Sequence, residues 1–175
     1  MSGIITDNVG RTSGLIKSAG GGGKIGQVVQ TLMTDTASTT STTFVTTGFE
    51  VAITPVADSS KILLYVNFGS VGNRYEVTYY THLKIVGGNC ATYIGDAATG
   101  IETAIAYQAQ GGSAGLDQAP CSMMYLDSPS TTSETTYTVH WMQTSGGLAT
   151  INRSNGTGAN GGNSASTIIA MEVLA

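Results

Sequence analysis

The sequence predicts an all-β fold: an antiparallel β-sandwich of the jelly-roll type, about ten strands, behind a flexible N-terminal arm. Three observations predict it. Apolar residues recur with a period of two in segment after segment, as they do on a strand with one buried face. Gly, Asn, Asp, Ser and Pro clusters interrupt those segments at short spacing, and no helix candidate exceeds about two turns. Only 10% of the 175 residues are charged and 24 are glycine, while 41% are hydrophobic, a composition that folds and that suits strands and turns.

The clearest segment is Phe49 to Phe68. Phe49, Val51 and Ile53 alternate with Glu50, Ala52 and Thr54. Pro55 stops that strand, Val56 to Ser60 supply turn formers, and Ile62, Leu64, Val66 and Phe68 restart the alternation. Leu63 and Tyr65 make the other side of this second strand apolar too, so both of its faces are expected to be covered.

The remaining elements follow in chain order. Residues 1–24 are read as an arm: Ile4, Ile5, Val9, Leu15 and Ile16 show no regular period, and Gly20 to Gly23 form a hinge before Lys24. Such aliphatic residues, with Arg11 and Lys17 between them, suit docking on a surface outside the domain. The domain, 25–175, opens with a strand at Ile25 to Thr31. Thr34 to Thr47 reads as an exposed strand or edge connection. Gly69 to Asn73 reads as a tight turn and Tyr75 to Val86 as a strand with Tyr75, Val77, Tyr79, Leu83 and Ile85 on one face. Shorter strands are expected at Ala91 to Ile94 and Thr103 to Gln108, a loop at Ala109 to Ala119, and strands at Met123 to Leu126 and Leu148 to Ile151. Thr135 to Thr144 places Tyr137, Val139 and Trp141 together. A glycine-rich loop occupies Gly156 to Asn163, and Ser166 to Leu174 closes the chain with Ile169, Met171 and Val173 as its core face.

Charge limits the partners. The net charge is -4, and no Lys/Arg cluster is present to neutralise phosphates, so no nucleic-acid partner is expected. No apolar run is long enough to span a bilayer as a helix, and no membrane partner is expected. Cys90 and Cys121 lack zinc-ligand neighbours and read as small buried hydrophobes rather than a disulfide scaffold.

Catalytic patterns fail on context. Gly111-Gly112-Ser113-Ala114-Gly115 matches G-x-S-x-G, but Leu116 to Pro120 is no helix and His140 sits within a strand. Gly20 to Gly23 with Lys24 lacks the first glycine and the hydroxyl of a phosphate loop. His82 and His140 have no carboxylate or thiol at ligand spacing. Asp96, Glu102, Asp117 and Asp127 lie in or near expected loops without the regular oxygen spacing of a calcium site. Asn152-Arg153-Ser154 and Asn155-Gly156-Thr157 match the N-glycosylation pattern by composition alone. The tyrosines and Trp141 suit a sugar-stacking surface less well than core or subunit contacts. Neither a catalytic centre nor a metal or cofactor is expected.

Four phrases carry a family resemblance: GGGKIGQVVQT (21–31), ITPVADSSKILLYV (53–66), MMYLDSPSTTSETTYTV (123–139) and NSASTIIAMEVLA (163–175). They resemble a recurring C-terminal domain of virion structural proteins, tail fibres especially, from bacteriophages of marine and freshwater bacteria, cyanophages among them. The strand order is similar to the jelly roll of the tumour necrosis factor and C1q type, which implies a homotrimer. Trimer-interface candidates are Leu63, Tyr65, Tyr80, His82 and Trp141. Only about 24 residues precede the domain, in place of a fibre's long shaft, so the resemblance implies a capsid decoration or cement protein. Its partner would be the major capsid protein, on the outer head surface of a virion assembled in the host cytoplasm. The alternative it implies is a tail-borne knob whose loops Gly87 to Asn89, Ala109 to Ala119 and Gly156 to Asn163 touch a host receptor or glycan.

Overall fold

A computed structural model describes residues 24–74, 80–90, 105–108, 116–144, 146–153 and 163–174. Among them are ten strands and no helix: β1 Lys24–Met33, β2 Ala37–Thr39, β3 Val45–Ile53, β4 Lys61–Arg74, β5 Tyr80–Val86, β6 Ile105–Gln108, β7 Leu116–Asp127, β8 Thr135–Gln143, β9 Ala149–Ile151 and β10 Ser166–Leu174. They form a six-stranded sheet, in which β1, β10, β4 and β7 lie side by side and the β2–β9 pair extends the far half of β4, and a four-stranded sheet in the order β3-β8-β5-β6. All pairings are antiparallel. The expected sandwich is present.

The core lies between the sheets. Ile62, Leu64, Val66 and Phe68 from β4 face Phe49, Val51 and Ile53 from β3 and Tyr137, Val139 and Trp141 from β8, all essentially excluded from solvent. Phe49 and Phe68 meet edge to face across the gap, ring centroids 6.1 Å apart. The alternation read in Phe49 to Phe68 is thus real, but the two strands are not neighbours. β3 pairs with β8, β4 pairs with β10, β7 and β9, and residues 54–60 carry the chain from one sheet to the other.

Three expectations are corrected. Gly69 to Asn73 is no turn: β4 runs through to Arg74, with an irregularity between Phe68 and Val71 where β10 gives way to β9 as its neighbour. Gly69 suits this crossing, since a Cβ there would meet the Ala165 carbonyl oxygen at 2.3 Å. Residues 116–119, read as loop, begin β7, whose twelve residues pair along β4. In β10 the inner face is Ser166, Ile168, Ala170 and Glu172, not Ile169, Met171 and Val173. One residue of phase separates the two readings, and a period of two gives no choice between them when both faces are apolar.

That phase turns a carboxylate inward. Glu172 is 0% exposed. Its Oε1 accepts the Val56 N–H at 2.7 Å and its Oε2 accepts Gln27 Nε2 at 2.8 Å. Asp127 lies in the same cross-strand row, on the far side of Ile62, and its Oδ2 accepts the Tyr137 hydroxyl at 2.7 Å and the Asn89 N–H at 3.2 Å. Both buried carboxylates therefore hold backbone N–H groups of connections that leave the opposite sheet.

Candidate functional site

Antiparallel register sorts the connections to two ends. At one end lie Lys24, opposite Leu174, and the connections 54–60, 87–90 and 128–134. Residues 1–23 join the domain here. At the other end lie Met33, Arg74, Leu116, Asn152 and Ser166. The flanks of the two glycine-rich segments 109–115 and 154–162 are at this second end, where the Gln118 side chain donates to the Arg153 carbonyl and ties one flank to the other.

Of the loops expected to touch a receptor, Gly87 to Asn89 is fully described, while 109–115 and 154–162 lie outside the described residues. Gly87 to Asn89 sit at the arm end; β7 begins at the opposite end, where Arg153 and Asn163 bracket the last segment. Between the flanks runs a groove of about 260 Å³ lined by Gly69, Ser70, Gln118, Ala119, Pro120 and Ser164. Its two serine hydroxyls are bonded to each other at 2.9 Å.

This end is held by Asn152, which is fully buried with a positive φ of 58°. Its Nδ2 donates to the Met33 carbonyl at 2.8 Å, its Oδ1 accepts from Ser166 Oγ at 2.6 Å, and its N–H donates to the Ser70 carbonyl at 3.0 Å. One residue, next after β9, thus joins β1 to β10 through its side chain and holds β4 through its backbone. The sequence offered only a glycosylation pattern here; a buried amide engaged on both sides is a structural residue.

The outer faces of the two sheets differ in kind. The four-stranded sheet presents Thr46, Glu50, Thr136, Thr138, His140 and Lys84. Lys84 Nζ stands 4.4 Å over the Phe44 ring. Burial, and then the charge of Lys84, lowers the His140 pKa. The six-stranded sheet presents one cross-strand row of Val28, Met171, Leu63 and Leu126 and a second of Gln30, Ile169, Tyr65 and Met124. Val28 is 57% and Met124 65% exposed.

The interface candidates divide accordingly. Leu63 and Tyr65 stand together on this apolar face. Trp141, 2% exposed, is spent on the core. His82 is on the four-stranded sheet, 7% exposed, its pKa lowered by burial, and Tyr80 opens the same strand. Val28, Met124, Leu126, Ile169 and Met171 were missed as surface; β10 and β7 each needed the partner register to fix which side is out.

Among the described residues no group of three His, Cys, Asp or Glu is placed to hold a metal, and Asp127 is engaged inside the fold rather than in a loop. Burial, with the neighbouring Asp127 charge and hydrogen bond, pushes the Cys90 thiol up to about 12, and burial pushes Cys121 to about 11. Both are free thiols. The arm residues Ile4, Ile5, Val9, Arg11, Leu15, Ile16 and Lys17, and the G-x-S-x-G pattern, lie outside the described residues.

No known family model matches the chain, and no curated protein matches it.

Proposed function

We propose that this protein is a non-enzymatic virion structural protein, a homotrimeric decoration protein that docks on the outer surface of a phage head through residues 1–19 and adds contacts between capsid subunits. The observation that supports it is the division of the fold into two ends. The arm joins at the Lys24 end, while the flanks of both glycine-rich segments stand at the opposite end. A domain attached at one end and presented at the other suits a knob on a shell. The rigid body of the sandwich transmits load between them, and three arms acting together raise avidity without new contacts in the knob. The phage setting and the trimer rest on the resemblance of the four sequence phrases.

The test is deletion of residues 1–19 followed by sedimentation with phage heads lacking the protein. The truncated protein keeps its far-UV spectrum and its mass in solution and no longer co-sediments. Retained binding overturns the arm's role.

One observation favours a second reading, a receptor-binding knob: Gln118 ties together the flanks of the two glycine-rich segments at the end away from the arm, beside an open groove. On that reading the purified protein adsorbs to host cells and competes with infection.

A further inference from the structure

We infer that the outer face of the six-stranded sheet is covered by a second copy of this chain. The inference rests on the multimeric part of the reading above and is independent of the virion setting.

The argument begins with patterning. An ordinary half-buried strand puts its more apolar set inside. Along the half nearest the arm, strands β10, β7 and β1 each turn a polar side chain inward and large apolar side chains outward, with Val29 and Tyr125 still packed on the core. β10 turns Ala170 and Glu172 inward and Ile169, Met171 and Val173 outward. β7 buries Asp127 and exposes Met124 and Leu126; β1 turns Gln27 toward Glu172 and exposes Val28. A strand facing water on that side gains nothing from this arrangement; a strand covered on both sides does. Seven large hydrophobic side chains are exposed among the described residues, and five of them (Ile25, Val28, Leu32, Met124 and Leu126) stand on this one face.

Size and charge select the occupant. Four strands about 4.8 Å apart and three rows about 7 Å apart make an apolar footprint of roughly 400 Å², about half of what one partner contributes to a standard interface. The neighbouring row, Leu32, Thr167, Asn67 and Ser122, is polar beyond its first member and, with Gln30 of the row before it, supplies the polar rim such an interface carries. These rows contain no acidic side chain and no basic one apart from Lys61 at the margin, so bringing two copies together sets no row of like charges face to face. A basic or acidic partner finds nothing there to pair with; an identical face or sheet edge, equally apolar and neutral, does.

The test is the mass of the full chain by light scattering, with Leu63→Lys and Met124→Lys as variants. The wild type is multimeric, and each lysine weakens self-association by at least about thirtyfold, the effect of a central interface residue, with an unchanged far-UV spectrum. A monomeric wild type overturns the inference together with the trimer. A multimeric wild type whose folded variants keep the same mass overturns this face alone and leaves the trimer standing; head binding is scored separately. Should a variant misfold, peroxide oxidation of the wild type read by mass spectrometry decides. Protection of Met124 relative to the unfolded chain supports the covered face, and rapid oxidation of Met124 in the multimer overturns it.

Discussion

The backbone N–H of Val56 donates to Glu172 Oε1 at 2.7 Å, so a carboxylate on the last strand holds the connection by which the chain crosses between sheets. Gln27 Nε2 completes the arrangement, donating to Glu172 Oε2 at 2.8 Å and to the Thr54 carbonyl at 2.6 Å. First strand, crossing and last strand meet at one anion, next to the point where the arm joins.

That anion makes stability depend on acid. Burial pushes the Glu172 carboxyl up, but the hydrogen bonds from Gln27 and the Val56 backbone, with the Ser60 hydroxyl nearby, outweigh it and hold the pKa below the ordinary 4.5. A folded-state value below the unfolded one contributes stability that is fully present above about pH 4.5 and is lost as pH falls through the lower folded value. The Tm of the wild type therefore drops in that window, and Glu172→Gln flattens this part of the profile. Glu172→Ala costs about 1–2 kcal/mol at neutral pH, because the Val56 N–H loses its acceptor and the Gln27 amide keeps only the Thr54 carbonyl. Urea denaturation of the three proteins at pH 7 and pH 3.5 measures both effects; equal slopes in wild type and Glu172→Gln would refute the assignment.

Asp127 gives the second prediction. The Tyr137 hydroxyl donates to it at 2.7 Å inside the core, and burial, with that hydrogen bond, drives the tyrosine pKa upward. Tyr137→Phe removes one donor from a buried carboxylate and costs about 1.5–3 kcal/mol. Gly88→Ala acts on the same anion by steric means: at φ 53° a Cβ would stand 2.2 Å from Asp127 Oδ2. Chemical denaturation should show both variants destabilised, with the double variant short of the sum, since both act on one carboxylate.

How much of this was legible is clearest in β4 and β10. The inward set Ile62, Leu64, Val66 and Phe68 was readable, because Pro55 and the turn formers before it fix where the strand starts. The limits of β10 were readable as well, Ser166 to Leu174. Its phase was not: a buried glutamate reads as a surface residue until Gln27 and Val56, distant in sequence, are seen to bond it. The segment Gly69 to Asn73 carries local turn chemistry, yet pairing with β7 on one side and β9 on the other outweighs it. Of the interface candidates, Leu63 and Tyr65 followed from one strand's alternation. Their companions on β1, β7 and β10 follow from register, which depends on contacts between strands far apart in sequence.

The thiols supply a third prediction. With Cys90 pushed up to about 12 and Cys121 to about 11, neither carries a meaningful thiolate fraction at pH 8, and the thiolate is the nucleophile. The native protein reacts slowly with a thiol-specific disulfide reagent, by at least about a hundredfold relative to the chain in denaturant. Two thiols then titrate on unfolding. Rapid titration of Cys90 in the native state would show its burial to be wrong, and rapid titration of the half-buried Cys121 would show its thiol to be less protected than its raised pKa implies.

The last prediction concerns Asn152, which fixes the end away from the arm. Its φ of 58° is one that Asn tolerates better than most residues, and its side chain bonds Met33 on one side and Ser166 on the other. Asn152→Gly keeps the backbone geometry and loses both side-chain bonds, while Asn152→Ala loses the bonds and adds the strain of a left-handed alanine. The glycine variant therefore costs about 2 kcal/mol and the alanine variant about 1 kcal/mol more. Asn152→Asp is the sharper probe, since it sets a carboxylate oxygen against the Met33 and Asp35 carbonyls, 2.8 and 3.3 Å from the present donor. It should destabilise at pH 7 and recover in part as the pH falls toward the carboxyl's own titration, opposite in sign to the Glu172 effect. Denaturation midpoints across pH 4 to 8 separate the two, and an Asn152→Asp variant as stable as the wild type at pH 7 would show that the amide is not what joins these strands.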